Sequence, residues 1–169
     1  MTEHGERVFI LGAGRAGQGL ARALRASAVE VVGVHGRHAL PGAEAVTAGL
    51  IPPPVSRATI VLVTVRDAQL GAALRELACS SFAPTCVVLH ASGGASPPEL
   101  DELRASGHPA GTFHPLVPFV DPSLATERLR SAWIGIDGDA PALRASRRLA
   151  AALGARTIEI PKGEKARYH

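Results

Sequence analysis

The segment VFILGAGRAGQGLARAL, residues 8–24, contains the strongest structural signal in this 169-residue chain. It begins with an apolar run and continues into a glycine-rich turn, and Ala16, Leu20 and Leu24 then follow at helical spacing. This order predicts a strand, a tight turn and a helix. The turn reads Gly12-Ala13-Gly14-Arg15-Ala16-Gly17. A GxGxxG pattern in this context is typical of dinucleotide binding, because the glycines allow the turn, the approach of a pyrophosphate and close helix packing.

Outward from this segment, apolar runs alternate with helical patterns. The predicted strands span residues 8–11, 29–34, 59–65, 86–89, 110–113, 133–136 and 156–160. The predicted helices span residues 15–27, 39–48, 67–78, 96–105 and 141–153. Parallel strands need crossover connections, and helices usually supply them. We therefore expect an α/β fold, a doubly wound, mostly parallel Rossmann-type sheet with helices on both faces.

The composition excludes several classes of protein. Hydrophobic residues make up 46% and charged residues 20%, which is typical of a globular domain rather than a disordered chain. The net charge is +3, but the basic residues are scattered and aromatic residues are only 4%, so we expect no nucleic-acid partner. Apolar runs are of strand length and histidines lack metal-ligand spacing, so we expect neither a membrane span nor a metal. These features predict a cytoplasmic protein.

The end of the second predicted strand indicates which dinucleotide binds. A site for NAD usually has an acid there for the ribose hydroxyls, whereas this chain has Val34-His35-Gly36-Arg37-His38. The Arg37 guanidinium can hold a 2'-phosphate through two parallel N–H bonds, with His38 as a lesser donor. The cofactor predicted is therefore NADP, bound as NADPH. A surface role for Arg37 in a turn is the alternative.

Further candidates follow other strands, because ligands in open α/β sheets lie beyond the carboxyl ends of the strands. Val65-Arg66-Asp67 follows the strand at residues 59–65 and is predicted to contact the cofactor, as are all six residues of the glycine turn. His90, Ser92 and His114 could hydrogen-bond a nicotinamide amide or a substrate carbonyl, or move protons near neutral pH. Each of these three could instead cap nearby backbone.

Six segments together resemble a family of Rossmann-like bacterial oxidoreductases with a C-terminal helical domain of unknown function. The segments, in order, are VFILGAGRAGQGLARAL, VLVTVRD, VVLHASGG, GTFHPLVPF, WIGIDGD and KARYH. More distantly, the chain is similar to pyrroline-5-carboxylate reductases, ketopantoate reductases and deazaflavin-dependent NADP reductases. The resemblance implies hydride transfer between nicotinamide and a C=O or C=N carbon of a small metabolite. A non-catalytic NADP-binding module that regulates or binds a partner is the alternative.

The resemblance also implies a domain boundary. It makes residues 1–160 an NAD(P)-binding domain and residues 161–169 either the start of a C-terminal helical domain or an exposed tail. In related β-hydroxyacid dehydrogenases a lysine near this point is the general acid or base, so Lys165 is a candidate for that role or else a tail lysine. Without a second domain, we expect negligible turnover. Leu116, Val117, Phe119 and Val120 would then be exposed and could support a homodimer.

Overall fold

The computed structural model of the protein describes residues 5–37, 46–95 and 97–161, with eight strands and five α-helices in that part of the chain. The strands are β1 (Arg7–Leu11), β2 (Glu30–His35), β3 (Val46–Thr47), β4 (Ile60–Val63), β5 (Val87–His90), β6 (Ala110–Pro115), β7 (Trp133–Gly138) and β8 (Arg156–Glu159). The helices are α1 (Arg15–Ala26), α2 (Asp67–Ala78), α3 (Glu99–Ala105), α4 (Ala125–Leu129) and α5 (Ala140–Ala152). Short 3₁₀ turns lie at Pro53–Arg57 and Pro122–Leu124.

All eight strands form one sheet in the order β3-β2-β1-β4-β5-β6-β7-β8. Strands β1 to β6 are parallel, β7 is antiparallel to β6, and β8 is parallel to β7. The predicted mostly parallel Rossmann-type sheet is thereby confirmed. The chain changes direction across the sheet between β1 and β4, and ligands of such sheets bind in the crevice at this point.

The sheet is covered on both faces, which explains why its central strands are apolar throughout. Alternate residues of β1 point to opposite sides, with Ile10 in one core cluster and Phe9 in the other. Helices α1, α4 and α5 cover the first side, and α2 and α3 cover the second. None of the helices in the described residues is both long and apolar enough to cross a membrane.

Two local predictions differ from the structure. Val46–Thr47 pairs with β2 as a strand, whereas we predicted a helix over residues 39–48; residues 39–45 lie outside the described part of the chain. Helix α3 begins at Glu99 rather than near residue 96, which is also undescribed. A two-residue edge strand is too short to show a periodic pattern in the sequence.

The segment between β6 and β7 contains α4, which the sequence did not predict. This short helix packs on α1 at Gly19, where a Cβ would lie 2.9 Å from both the Ala125 Cβ and the Phe119 ring. Phe119 and Val117 therefore pack against the core, contrary to our expectation that the segment is exposed throughout. Of the four apolar residues in that expectation, Leu116 and Val120 are exposed, at 51% and 63%.

Candidate cofactor site

The glycine turn is fastened to the strands on both sides of β1. The Gly12 N–H donates to the His35 carbonyl at 2.7 Å, which ties the turn to the end of β2. The Thr64 hydroxyl, directly after β4, donates to the Gly12 carbonyl at 2.8 Å. Gly12 has φ +126°, a conformation that side chains disfavour. The turn therefore holds one fixed shape at the point where the strand order reverses.

The three glycines of the fingerprint meet different surroundings. A Cβ on Gly12 would lie 2.7 Å from the Thr64 carbonyl carbon, and a Cβ on Gly17 would lie 1.8 Å from the Gly12 carbonyl oxygen. The fold itself requires glycine at both positions. A Cβ on Gly14 would meet nothing within 4 Å, and its φ of −73° suits any residue. No contact within the described chain requires glycine at position 14, and the missing side chain leaves room in front of α1.

Helix α1 begins at this open space. Gly14 is its N-cap residue and supplies no capping side chain, and the first helical bond runs from the Gln18 N–H to the Gly14 carbonyl at 2.9 Å. The N–H groups of the first turn, at Arg15, Ala16 and Gly17, have no partner within the helix. Together with the positive end of the helix dipole, they favour an anion in the room that Gly14 leaves.

A cleft of about 420 Å³ opens between the glycine turn, the end of β2 and α2. Six predicted cofactor residues line it together, namely Gly12, Ala13, Gly14, Arg37, Val65 and Arg66. Arg15, Ala16 and Gly17 are in the first turn of α1 and Asp67 in that of α2, next to the lining residues but not among them. His38 lies outside the described residues.

Several lining residues were not predicted as site residues. They are Leu11, His35, Gly36, Gly49, Thr64, Gln69, Ala72, Ala73 and Glu76. Two signals in the sequence point to some of them. Thr64 is a hydroxyl residue within the otherwise apolar run at residues 60–65. Gln69, Ala73 and Glu76 have the spacing of one helix face, on which small and polar side chains could border a ligand.

His90, Ser92 and His114 lie at the carboxyl ends of β5 and β6, on the same edge of the sheet as the glycine turn. None of the three lines the cleft of about 420 Å³. His90 is fully buried, and its Nε2 lies 3.2 Å from the Thr112 hydroxyl. The Ser92 Oγ accepts from the Ala95 N–H at 3.1 Å. These contacts hold both side chains in place beside the site.

His114 is half-buried and has a defined tautomer. Its Nδ1 lies 2.7 Å from the Ala91 carbonyl oxygen. Because a carbonyl can only accept, Nδ1 carries the hydrogen, and Nε2 is the unprotonated nitrogen of the neutral ring. This bond from Nδ1 therefore fixes the orientation of the ring.

Metal and thiol chemistry have less support among the described residues. Within residues 5–37, 46–95 and 97–161, no three His, Cys, Asp or Glu side chains are grouped to hold a metal ion. Burial raises the pKa of the Cys86 thiol to about 12, so this thiol stays protonated near neutral pH. Lys165 lies outside the described residues.

Solved structures share this fold, although no family model and no curated protein matches the chain. A Bacteroides fragilis protein assigned as an NADP oxidoreductase superposes with a TM-score of 0.77 and 18% identity over 98% of this chain and 63% of its own. Pyrroline carboxylate reductase from Plasmodium falciparum, solved with NADP bound, gives 0.70 and 12% over 97% and 60%. Prephenate dehydrogenase from A. aeolicus, solved with NAD+, gives 0.72 and 13% over 95% and 61%.

The likeness is one of fold. Identities of 12 to 18% establish the architecture and do not transfer a substrate. The chain spans about three fifths of the length of these structures, from 60 to 63%. The sequence indicated a resemblance to pyrroline-5-carboxylate reductases, and the fold of the chain is similar to theirs.

Proposed function

We propose that this chain is the NADP-binding domain of an oxidoreductase that transfers a hydride between nicotinamide and a C=O or C=N carbon of a small metabolite. The observation that carries the proposal is the room at Gly14, which no contact in the described chain requires and which faces the first turn of α1. The N–H groups and the positive helix end that border this room suit an anion such as a pyrophosphate.

The residues of the cleft suit the parts of NADP. The backbone N–H groups of residues 14–17 would hold the pyrophosphate, and Arg37, which also lines the cleft, would hold the 2'-phosphate with His38. Val65, Arg66 and Asp67 would border the adenosine along the start of α2. Bound NADPH would supply the hydride, and the protein would supply position, the contacts to the phosphates and a proton.

We assign the proton chemistry to the carboxyl ends of β5 and β6. His114 would exchange a proton with the substrate at Nε2, and Ser92 would hydrogen-bond the nicotinamide amide or the substrate carbonyl. His90 and its partner Thr112 are both fully buried, so His90 would support the ends of β5 and β6 rather than touch the substrate. Lys165 stays a second candidate for the general acid or base on the resemblance alone.

Arg37→Ala should weaken NADPH binding about ten- to a hundredfold and leave NADH binding nearly unchanged, because a lost charge-assisted phosphate contact costs about 1.5–3 kcal/mol. Calorimetric titration with both cofactors measures the change. Arg144→Ala is the matched control, since it removes an exposed arginine of α5, away from the cleft. Equal affinity of the unmodified protein for NADPH and NADH would refute the assignment of NADP.

We further propose that a second, helical domain begins at residues 161–169 and covers the substrate side of the site. The fold neighbours are longer than this chain, and Leu116 and Val120 present open apolar surface beside β6. The same surface could instead support a homodimer. We propose that the protein is soluble, cytoplasmic and bacterial, and that it acts on a small metabolite.

The 169-residue chain should bind NADPH but turn over poorly, because a hydride site open to water lacks a substrate wall. Absorbance at 340 nm with imines, 2-oxo acids and aldehydes measures turnover, alongside a form of the protein extended past His169. Robust turnover by the shorter form would contradict the second-domain proposal. Binding without substrate-dependent oxidation in either form would favour the alternative of a non-catalytic NADP-binding regulatory or partner-binding module.

A further inference from the structure

We propose that His35 is a positioning residue that fixes residues 46–49 as one wall of the adenosine end of the cleft. This inference rests on the proposed function, because it assumes that the cleft takes the adenosine half of a dinucleotide. Residues 46–49 are called the adenosine wall below. Gly49 is the residue of this wall that lines the cleft, together with His35 and Arg37.

Both nitrogen atoms of the His35 ring have hydrogen-bond partners within the chain. His35 is the last residue of β2 and is only 3% exposed. Its Nε2 lies 3.0 Å from the Gly49 carbonyl oxygen and its Nδ1 lies 2.8 Å from the Thr47 hydroxyl. Because the carbonyl can only accept, Nε2 carries the hydrogen and, in the neutral ring, Nδ1 accepts from Thr47. The other acceptor near that hydroxyl, the Val34 carbonyl, is farther away at 3.4 Å.

Among the residues that the structure describes, the adenosine wall has few other attachments to the sheet. Strand β3 pairs with β2 over two residues, and the Gly36 N–H donates to the Thr47 carbonyl at 3.0 Å. Gly49 then turns with φ +93° and presents backbone to the cleft. A two-residue edge strand is weakly held by its ladder alone, so the two bonds to His35 fix where this backbone lies.

In this arrangement His35 would set the shape of the cleft, and Arg37 would set the preference for NADPH over NADH. In a site for NAD, the side chain at the end of β2 accepts from a ribose hydroxyl, whereas both nitrogen atoms of His35 already have partners in the adenosine wall. The ring therefore acts on the ligand through the wall. NADPH and NADH share the adenosine that the wall would contact, so loss of the His35 contacts should weaken both equally. Loss of Arg37 should weaken only NADPH.

The test uses Thr47→Val, with Thr47→Ser as its matched control. Thr47 is exposed and valine keeps its shape, so the variant should fold while losing the bond to His35. We expect Thr47→Val to weaken binding of adenosine 2',5'-bisphosphate about three- to tenfold, as for one lost hydrogen bond. Serine should restore binding to within about twofold, since it keeps the hydroxyl. Binding of nicotinamide mononucleotide should not change, because the proposed nicotinamide end lies beside Ser92 and His114, which do not line this cleft.

A second variant, His35→Phe, removes both bonds and keeps a buried ring. It should weaken NADPH and NADH by the same factor, about ten- to fiftyfold. If the unmodified protein binds neither dinucleotide, the proposed function fails and the inference fails with it. If the unmodified protein binds NADPH and folded Thr47→Val binds adenosine 2',5'-bisphosphate as tightly, the inference alone is overturned. An equal loss for nicotinamide mononucleotide would also overturn it, because that loss indicates a general structural effect.

Discussion

Gly14→Val should abolish dinucleotide binding and leave the domain folded. A Cβ at this position meets nothing within 4 Å, and the backbone at φ −73° accepts valine. The cost to the fold is the exchange of a good N-cap residue for a poor one, about 1 kcal/mol. The branched side chain would fill the room in front of α1, so we expect NADPH binding to weaken more than about a hundredfold, as for a blocked site. Calorimetry and thermal unfolding, measured together, separate the two effects.

Two controls make this result specific to the cleft. Gly5→Val adds the same side chain where a Cβ also meets nothing, at the opposite end of β1, and should leave NADPH binding unchanged. Gly14→Ala adds one methyl group and should give an intermediate loss. Unchanged NADPH affinity in folded Gly14→Val would mean that the turn serves only the fold, and the proposed function would lose its main support.

The strands of the central sheet could be predicted from sequence because their signals are local. Residues in β1 and β4 are buried on both faces, so each reads as a continuous apolar run. The glycine turn was predictable for the same reason, since strand, turn and helix follow one another without interruption. Arg37 could be assigned to the same cleft because its distance from the end of β2 fixes its place on the carboxyl edge.

The parts that could not be predicted depend on contacts between distant segments. The ring of His35 is held by Thr47 and Gly49, and nothing in the order of residues 34–38 shows this. Helix α4 has five residues, too few for a periodic signal, and the glycine at position 19 that accommodates it lies about a hundred residues earlier in the chain. The full burial of His90 could not be predicted from the sequence either, because a histidine at a strand end can face either solvent or a neighbouring strand.

Gly17→Ala should produce a large loss of stability. Alanine normally stabilises a helix over glycine, by about 0.5–1 kcal/mol, so propensity alone predicts a gain. Here the new Cβ would lie 1.8 Å from the Gly12 carbonyl oxygen and 2.7 Å from the Thr64 hydroxyl. These two oxygen atoms are hydrogen-bonded to each other at the carboxyl ends of β1 and β4, so α1 itself would have to move away.

That movement would open the packing of Leu20 and Leu24 against the sheet. Overpacking of this kind costs about 1–3 kcal/mol or more, so we expect the midpoint of thermal unfolding to fall by roughly 10 °C or the chain to fail to fold. Gly19→Ala is the comparison within the same helix, because its Cβ would lie 2.9 Å from the Phe119 ring and from the Ala125 Cβ, a milder clash than 1.8 Å from a backbone oxygen. It should lose less stability than Gly17→Ala. A Gly17→Ala midpoint at or above that of the unmodified protein would show that α1 is free to move, and the close contact between turn and helix would then not be what fixes the shape of the cleft.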